Sequence, residues 1–139
     1  MNGDIIRNVM TPEPVTVPST TTLEQAARHM RDAGIGNVIV LDGEQITGIL
    51  TDRDIVVRAV AEGRDAQTPI GEVASRDLTT ISPDDTLEVA VELMRERSIR
   101  RLPVVEAGRA VGIVSLGDLA LERDPDSALG DISAAPPNE

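Results

Sequence analysis

The order of apolar and polar residues along the chain predicts the same secondary structure in each half. Short apolar runs at residues 14–17 and 78–81 end at turn-forming residues, which is typical of strands. A segment follows each run, at 21–34 and 85–98, in which apolar residues recur at spacings of three and four, as in an amphipathic helix. In the first helix, the residues expected on the buried face are Leu23, Ala26, Ala27 and Met30.

Two more apolar runs in each half predict a β-hairpin. The paired strands are expected at 37–41 with 46–51 and at 101–105 with 110–115, joined by tight turns around Asp42–Gly43 and Ala107–Gly108. Helices over 52–63 and 116–123 then complete each half. Each half is therefore predicted to run strand, helix, strand, strand, helix.

Polar residues mark the predicted ends of the long helices. Thr21 and Asp85 are expected to cap the helix N-termini, with Glu24 and Glu88 three residues later completing capping boxes. Gly34 is expected to end the first helix, because glycine readily adopts the left-handed conformation found at that position. The sequence therefore predicts where both long helices begin and where the first one ends.

The two halves are copies of one another. When the chain is shifted against itself by 64 residues, 6–54 aligns with 70–118 without a gap, and 14 of the 49 positions are identical. The clearest match is an octapeptide, GILTDRDI at 48–55 and GIVSLGDL at 112–119. A single copy of about 50 residues could barely bury one face of its sheet. We therefore predict an α/β (α+β) fold of two pseudo-symmetric β-α-β-β-α repeats packed sheet to sheet.

The repeat also predicts the division of the chain. The first repeat is expected over residues 4–63 and the second over 69–123, with a polar connector at 64–68. The tail, 124–139, is polar and contains a Pro-Pro pair, so we expect it to be flexible.

Composition narrows the classes of function. The chain has no Cys, Phe, Tyr or Trp, and all 13 of its cations are Arg, as in proteins from GC-rich bacterial genomes. Any bound base would therefore lie between aliphatic side chains. The formal net charge of −11 argues against nucleic-acid binding, which needs a basic surface. No apolar segment resembles a signal peptide or a membrane span, so we expect a soluble, cytoplasmic protein without a membrane partner.

An enzyme is not expected. His29 is the only histidine and lies in a polar setting on the first helix, so neither a catalytic triad nor a zinc site can be assembled. Asp84–Asp85 precede a helix and are interpreted as caps. The aspartates of 124–131 lack the glycine and terminal glutamate of a calcium-binding EF-hand loop. We therefore predict neither catalysis nor a bound metal.

The repeated octapeptide carries the candidate chemistry. Thr51 and Ser115 end a strand, and Asp54 and Asp118 follow three positions later in the first turn of a helix. A hydroxyl, free backbone N–H groups and a carboxylate are thus expected on one rim. Helix N-termini favour anions, and a carboxylate can accept hydrogen bonds from the two hydroxyls of a ribose diol. The same residues also suit a helix cap that needs no ligand, and both interpretations stay open.

Cations near the second octapeptide suggest a phosphate. Four of the 13 arginines fall within residues 95–101 of a strongly acidic chain. Arg100 and Arg101 directly precede a strand expected beside the one that ends at Ser115, where they could bind a phosphate bidentately. The alternative is a solvated basic turn. In the first copy, only Arg53 could serve the same purpose.

The duplicated pattern resembles tandem CBS domains, the modules named after cystathionine β-synthase. DIIRNVMTPEPVTV, the repeated octapeptide and IRRLPVVEAGRAVGIVSLGDL carry this resemblance, which covers residues 4–123. It implies a disc-like, stand-alone Bateman-type module with two clefts related by a pseudo-twofold axis. Each cleft of such a pair can hold AMP, ADP, ATP or S-adenosylmethionine, and no cofactor is required. Arg100 and Arg101 favour a phosphate over the sulfonium of S-adenosylmethionine.

The resemblance assigns residues to each cleft. The better nucleotide site is expected to consist of Asp118, Ser115, Arg100, Arg101, Ile113, Thr11, Val15 and Ile35. The weaker site is expected to consist of Asp54, Thr51, Arg53, Ile49, Ser75, Thr79 and Ile99. The first copy is weaker because it has NVIV where the family has an Ala-Leu-Pro-Val-like run, and no basic residue precedes it.

The sequence thus predicts a non-catalytic sensor. Binding of an adenine nucleotide would favour one conformation and pass the signal to a separate, unidentified effector protein. The resemblance also implies a homodimer. The alternative is a ligand-free CBS pair that serves as a dimerisation or scaffold protein, with its aspartates acting only as caps.

Overall fold

The computed structural model describes residues 4–76 and 78–123, which form two compact units. The strands are β1 (Thr11–Pro12), β2 (Thr16–Pro18), β3 (Asn37–Asp42), β4 (Gln45–Thr51), β5 (Arg101–Glu106) and β6 (Arg109–Ser115). The helices are α1 (Leu23–Ala33), α2 (Asp52–Asp54), α3 (Leu87–Arg97) and α4 (Leu116–Arg123), with a π-helix at Ile55–Val60 and 3₁₀ turns at Ile6–Asn8 and Ile70–Glu72. The tail 124–139, which we expected to be flexible, lies outside the described residues.

The first-sheet unit, residues 15–78, is built on the sheet β2-β3-β4. β2 runs parallel to β3, and β3 and β4 form the predicted hairpin around a turn at Gly43, whose φ of 65° is left-handed. The second-sheet unit, residues 4–14 with 79–123, has the order β1-β6-β5. Its hairpin turns at Ala107–Gly108, where both residues have positive φ. The mixture of helices and strands in two small sheets is the predicted α+β class.

The duplication extends to hydrogen-bond register. Asn37 pairs with Thr51 in the first hairpin, and Arg101 pairs with Ser115, 64 residues later, in the second. Each hairpin also carries a register shift at the same relative place, after Val40 and after Val104. Equivalent residues of the two octapeptides therefore occupy equivalent positions in the two sheets.

The short segment at the start of each repeat, around Ile6 and Ile70, packs on the sheet unit of the other repeat. The Ile6 N–H donates to the Asp85 carbonyl at 2.9 Å, while the Ile70 N–H donates to the Thr21 carbonyl at 2.8 Å. Both isoleucine side chains are fully buried, each in the core of the unit that receives it. The compact units are thus offset from the sequence repeats by an exchange of these segments.

An exposed ion-pair cluster holds the N-terminal segment on the second-sheet unit. The Arg7 guanidinium donates to Glu106 at 2.6 Å and to Asp84 at 3.3 Å. The hydrogen bond to Glu106, followed by that to Asp84, raises the pKa of Arg7 above its ordinary value. Arg7 is therefore a cation at neutral pH.

Each unit has its own apolar core. The first-sheet core consists of Val17, Leu23, Ala26, Met30, Val38, Val40, Leu50, Ala59, Ile70, Val73 and Ala74. The second-sheet core consists of Ile6, Ile81, Leu87, Ala90, Met94, Leu102, Val104, Val114 and Leu119. Three of the four residues predicted on the buried face of α1 are in the first core. The fourth, Ala27, is exposed.

The helix caps differ from the predicted ones by one residue. Thr22, not Thr21, caps α1, and it forms a capping box with Gln25 in place of Glu24. Thr86, not Asp85, caps α3. Gly34 ends α1 in the left-handed conformation, with a φ of 67°, as predicted.

Two predicted elements take another form. The run 78–81 is not a strand, because only Ile81 bridges to Val104 of β5. The helix predicted over 52–63 is α-helical only as far as Asp54 and then continues as the π-helix Ile55–Val60. A π-helix places i→i+5 hydrogen bonds where an α-helix has i→i+4, and the Ala61 N–H accordingly donates to the Val56 carbonyl at 2.9 Å.

Candidate functional site

The glycine that opens each octapeptide lies under an exchanged segment. The Ser75 backbone crosses so close to Gly48 that a Cβ at this position would overlap the Ser75 carbonyl oxygen. A Cβ at Gly112 would lie 2.9 Å from the Thr11 carbonyl oxygen and would also overlap the Met10 side chain. Each glycine is therefore required because another part of the chain passes over it, and not because of its own φ.

The hydroxyl and carboxylate of the first octapeptide form a capping box. The Asp54 N–H donates to Thr51 Oγ1 at 3.1 Å, and the Thr51 N–H donates to Asp54 Oδ2 at 3.0 Å. The second oxygen, Asp54 Oδ1, lies 3.8 Å from Nε of Arg58, one turn later. Both carboxylate oxygens of Asp54 therefore face donors of their own unit.

The second octapeptide repeats the capping box. The Asp118 N–H donates to Ser115 Oγ at 3.1 Å, and the Ser115 N–H donates to Asp118 Oδ2 at 2.9 Å. Within the described part of the chain, Asp118 Oδ1 has no ion-pair partner equivalent to Arg58. The reciprocal bonds fix the orientation of the carboxylate, and Oδ1 and the Ser115 hydroxyl proton take no part in the cap.

The arginine pair lies at the same rim as Ser115 and Asp118. Arg101 begins β5 and is directly opposite Ser115 on β6. The Arg100 carbonyl accepts a hydrogen bond from the Leu116 N–H at 2.8 Å, which ties this residue to the first turn of α4. In an antiparallel ladder, directly opposite residues have Cβ atoms about 4.5–5.5 Å apart. The side chains of Arg101 and Ser115 thus start from neighbouring positions at the same end of the hairpin.

The expectation of free backbone N–H groups at this rim was partly wrong. The Leu116 N–H is bonded to the Arg100 carbonyl, and the Asp118 N–H is bonded to the Ser115 hydroxyl. In the first copy, the Asp52 N–H is likewise bonded to the Gly36 carbonyl at 3.0 Å. The helix ends satisfy these donors internally, so the side chains must supply most of any ligand binding.

The other residues assigned to the Asp118 site lie in both units. Thr11 of β1 pairs with Ile113 of β6, so these two are adjacent to Ser115 within the second-sheet unit. Ile113 is 8% exposed. Val15 and Ile35 belong to the first-sheet unit, where they are half-buried against its core. Their assignment to the Asp118 site stays a prediction.

The residues assigned to the Asp54 site are divided in the same way. Ile49 and Ser75 bridge each other in the first-sheet unit, with backbone bonds of 3.3 and 3.1 Å. Arg53 is exposed beside Asp54. Thr79 and Ile99 belong to the second-sheet unit, so their assignment to this site also stays a prediction.

Sequence reasoning missed a groove on the first-sheet unit. It encloses about 550 Å³ between α1 and the π-helix, and its apolar lining includes Leu23, Ala27, Ile55, Ala59 and Val60. Neither Asp54 nor Thr51 lines it. The valines of the π-helix are unusually exposed, 60% for Val56 and 67% for Val60. The sequence feature that could have indicated this groove is the apolar run IVVRAV at 55–60. Its apolar residues are too many to lie on one buried face of a helix, so some must be exposed.

Across residues 4–76 and 78–123, no three His, Asp or Glu side chains are grouped closely enough to hold a metal ion. No helix in the described part of the chain has the length and apolar character needed to cross a bilayer. His29 is exposed on α1, as its polar setting predicted.

Known proteins share both the sequence and the fold. The Bacillus subtilis CBS domain-containing protein YhcV is 41% identical over 125 residues, which cover 90% of this chain and 89% of that protein. A putative signal-transduction protein with CBS domains from Burkholderia ambifaria has a solved structure with a TM-score of 0.76 at 30% identity, covering 84% of this chain and 86% of that one.

A third protein extends the likeness in fold. The CBS domain pair of protein MJ0100, solved in complex with 5′-methylthioadenosine and S-adenosyl-L-methionine, has a TM-score of 0.80 at 24% identity, covering 89% of this chain and 98% of that one. At this identity the likeness shows the fold alone. A family model of the CBS domain matches twice, over residues 6–60 and 70–123, and these matches follow the internal repeat. The resemblance seen in the sequence is therefore confirmed, and the chain belongs to the CBS-domain family.

Proposed function

We propose that this protein is a non-catalytic regulatory module that binds an adenine nucleotide at the rim formed by Ser115, Asp118, Arg100 and Arg101. CBS pairs are regulatory modules, and that of MJ0100 was solved with two adenosine compounds. The ligand expected here is AMP, ADP or ATP. Its binding alters contacts with a separate effector protein.

The observation that carries the proposal is the pairing of Arg101 with Ser115 beside the fixed carboxylate of Asp118. A nucleotide has a diol that donates hydrogen bonds and a phosphate that accepts them. The Oδ1 atom of Asp118 suits the diol, and the guanidinium groups of Arg100 and Arg101 suit the phosphate. Ile113, which is 8% exposed, is the aliphatic residue proposed to contact the base. The corresponding rim of the first copy, formed by Thr51 and Asp54 and called the Asp54 rim, has no arginine at the positions equivalent to Arg100 and Arg101. This absence from the sequence supports the proposal that it is the weaker site.

The arginine pair provides the first experiment. The double variant Arg100→Gln/Arg101→Gln should bind AMP at least about tenfold more weakly in calorimetric titrations, because charge-assisted hydrogen bonds are the strong ones. Its affinity for adenosine, which has no phosphate, should not change. The matched control is Arg95→Gln/Arg97→Gln, which removes the same charge from the exposed last turn of α3.

Salt gives a second readout of the same claim. The preference for AMP over adenosine should decrease as the ionic strength rises, since exposed charges are screened. Equal loss of AMP affinity in the two double variants would mean that only the overall charge matters. An unchanged affinity in both would show that the phosphate does not bind at this rim.

One observation favours the second candidate, a ligand-free scaffold. Both octapeptide aspartates form complete capping boxes, and a capping box stabilises a helix without any ligand. Under this alternative, substitution of Asp118 lowers stability alone. The scaffold also predicts that millimolar AMP and ATP leave the melting temperature unchanged.

We also propose that the protein is a homodimer in which a second copy covers the groove between α1 and the π-helix. The apolar lining of the groove and the exposed Val56 and Val60 support this assignment, because apolar patches on soluble proteins commonly mark interaction surfaces. A dimer would also give the regulatory module a surface through which a conformational change can act.

A further inference from the structure

The two octapeptide aspartates differ in what lies one helical turn beyond them. Asp54 is followed four residues later by Arg58, whose Nε lies 3.8 Å from Asp54 Oδ1. At the equivalent position of the second copy the sequence has Glu122, which has the opposite charge. The duplication therefore preserved the aspartate and changed the charge of the residue four positions later.

The Asp54 carboxylate has a capping hydrogen bond at one oxygen and an ion-pair partner near the other. Oδ2 of Asp54 accepts the Thr51 N–H at 3.0 Å, and Oδ1 faces the guanidinium. The Asp54 side chain is only 15% exposed, whereas that of Arg58 is 54% exposed. Water therefore has little access to the carboxylate, and the arginine can move away into solvent.

Arg58 lies within the π-helix Ile55–Val60, and the equivalent segment of the second copy, in α4, is α-helical. π-helical turns are rare and occur frequently at functional sites. The local backbone around Arg58 thus differs from that of its duplicate.

A ribose diol and a guanidinium require the same acceptor. The diol donates two hydrogen bonds, and at Asp54 the oxygen that is not used by the cap already faces a competing donor. We infer that Arg58 is a specificity-determining residue that occupies Asp54 in the ligand-free protein and must be displaced before a nucleoside binds there. This inference rests on the proposed function, since it takes Asp54 as a diol acceptor. It also predicts that, as the nucleoside concentration rises, the Asp118 rim is occupied before the Asp54 rim.

Adenosine is the appropriate probe, because it carries the diol without a phosphate. Calorimetric titrations are made in an Asp118→Asn background, so that the Asp54 rim is the one measured. Arg58→Gln should bind adenosine about two- to fivefold more tightly, the size of effect expected from loss of an exposed ion pair. Arg58→Lys should give a smaller gain. The control is Arg109→Gln, which removes the same charge from an exposed residue at the start of β6 and should leave the affinity unchanged.

A second ligand separates competition at the carboxylate from a general structural effect. 2′,3′-Dideoxyadenosine lacks the diol, so Arg58→Gln should not improve its binding. Equal gains for both ligands, or adenosine binding that is unchanged, weaker or undetectable after Arg58→Gln, would overturn the inference. Adenosine binding with Asp118 intact reports on the proposed function separately. If that binding is present and the gain is absent, the Arg58 inference alone fails; if both are absent, both proposals fail.

Discussion

At the scale of single residues, each fixed position of the octapeptide has a structural task. The glycine admits a crossing backbone, the hydroxyl residue caps a helix, and the aspartate returns the hydrogen bond. The same bonds hold the carboxylate in one orientation, which lowers the entropy lost when a ligand binds. Ser115 and Asp118 can thus serve as a helix cap and as a ligand site at the same time. The two interpretations differ only in the role of Asp118 Oδ1, the carboxylate oxygen that the cap does not use.

The crossing over Gly48 leads to a prediction about stability. Gly48→Ala should lower the free energy of unfolding by about 1–3 kcal/mol, because the new methyl group meets the rigid Ser75 carbonyl. Gly112→Ala should cost less, since part of its clash is with the flexible Met10 side chain. Urea denaturation of both variants checks the order. Equal stability of Gly48→Ala and the unsubstituted protein would contradict this account of the crossing.

At the scale of elements, sequence patterns predicted the helices and hairpins but not every boundary. Runs of adjacent polar residues, such as Thr20–Thr22, offer several possible caps, and contacts far along the chain select one of them. The Thr21 carbonyl, for instance, is already bonded to the Ile70 N–H. The π-helix was not predicted, because the nearly continuous apolar run at 55–60 does not distinguish the period of an α-helix from that of a π-helix. The two octapeptide rims could be predicted because the same residues recur in both copies. The crossing of the Ser75 backbone over Gly48 could not, because it depends on an exchange of segments that hydrophobic periodicity does not encode.

The exposed valines of the π-helix lead to a prediction about the proposed homodimer. Val60→Asp should convert the proposed dimer into a monomer of 14.8 kDa, because a charge in an apolar contact is costly to bury. Light scattering after size exclusion measures the mass. The control, Gln45→Asp, places the same charge on an exposed residue at the start of β4 and should remain dimeric. A dimeric Val60→Asp would exclude this face as the interface.

At the scale of the whole molecule, a strongly acidic chain concentrates arginines near one of two duplicated rims. The net charge of −11 repels nucleotides at long range, so the proposed binding would need the local cations at Arg100 and Arg101. The two copies share their hydrogen-bond framework and differ in the charges around it, at Arg58 in one and at the arginine pair in the other. These charge differences support the proposal that the Asp118 rim is the principal nucleotide site.

The most direct test of that claim is a calorimetric titration of AMP into the unsubstituted protein and into Asp118→Asn. The asparagine oxygen can still accept the Ser115 N–H, so the cap is retained while the charge is lost. AMP should bind the unsubstituted protein and bind Asp118→Asn roughly ten- to hundredfold more weakly, as expected for hydrogen bonds to a charged group. Thr22→Ala, which removes the capping box of α1, should lower stability by about 1 kcal/mol and leave AMP affinity unchanged. Equal AMP affinity in the unsubstituted protein and Asp118→Asn, or no binding to either, would contradict the account.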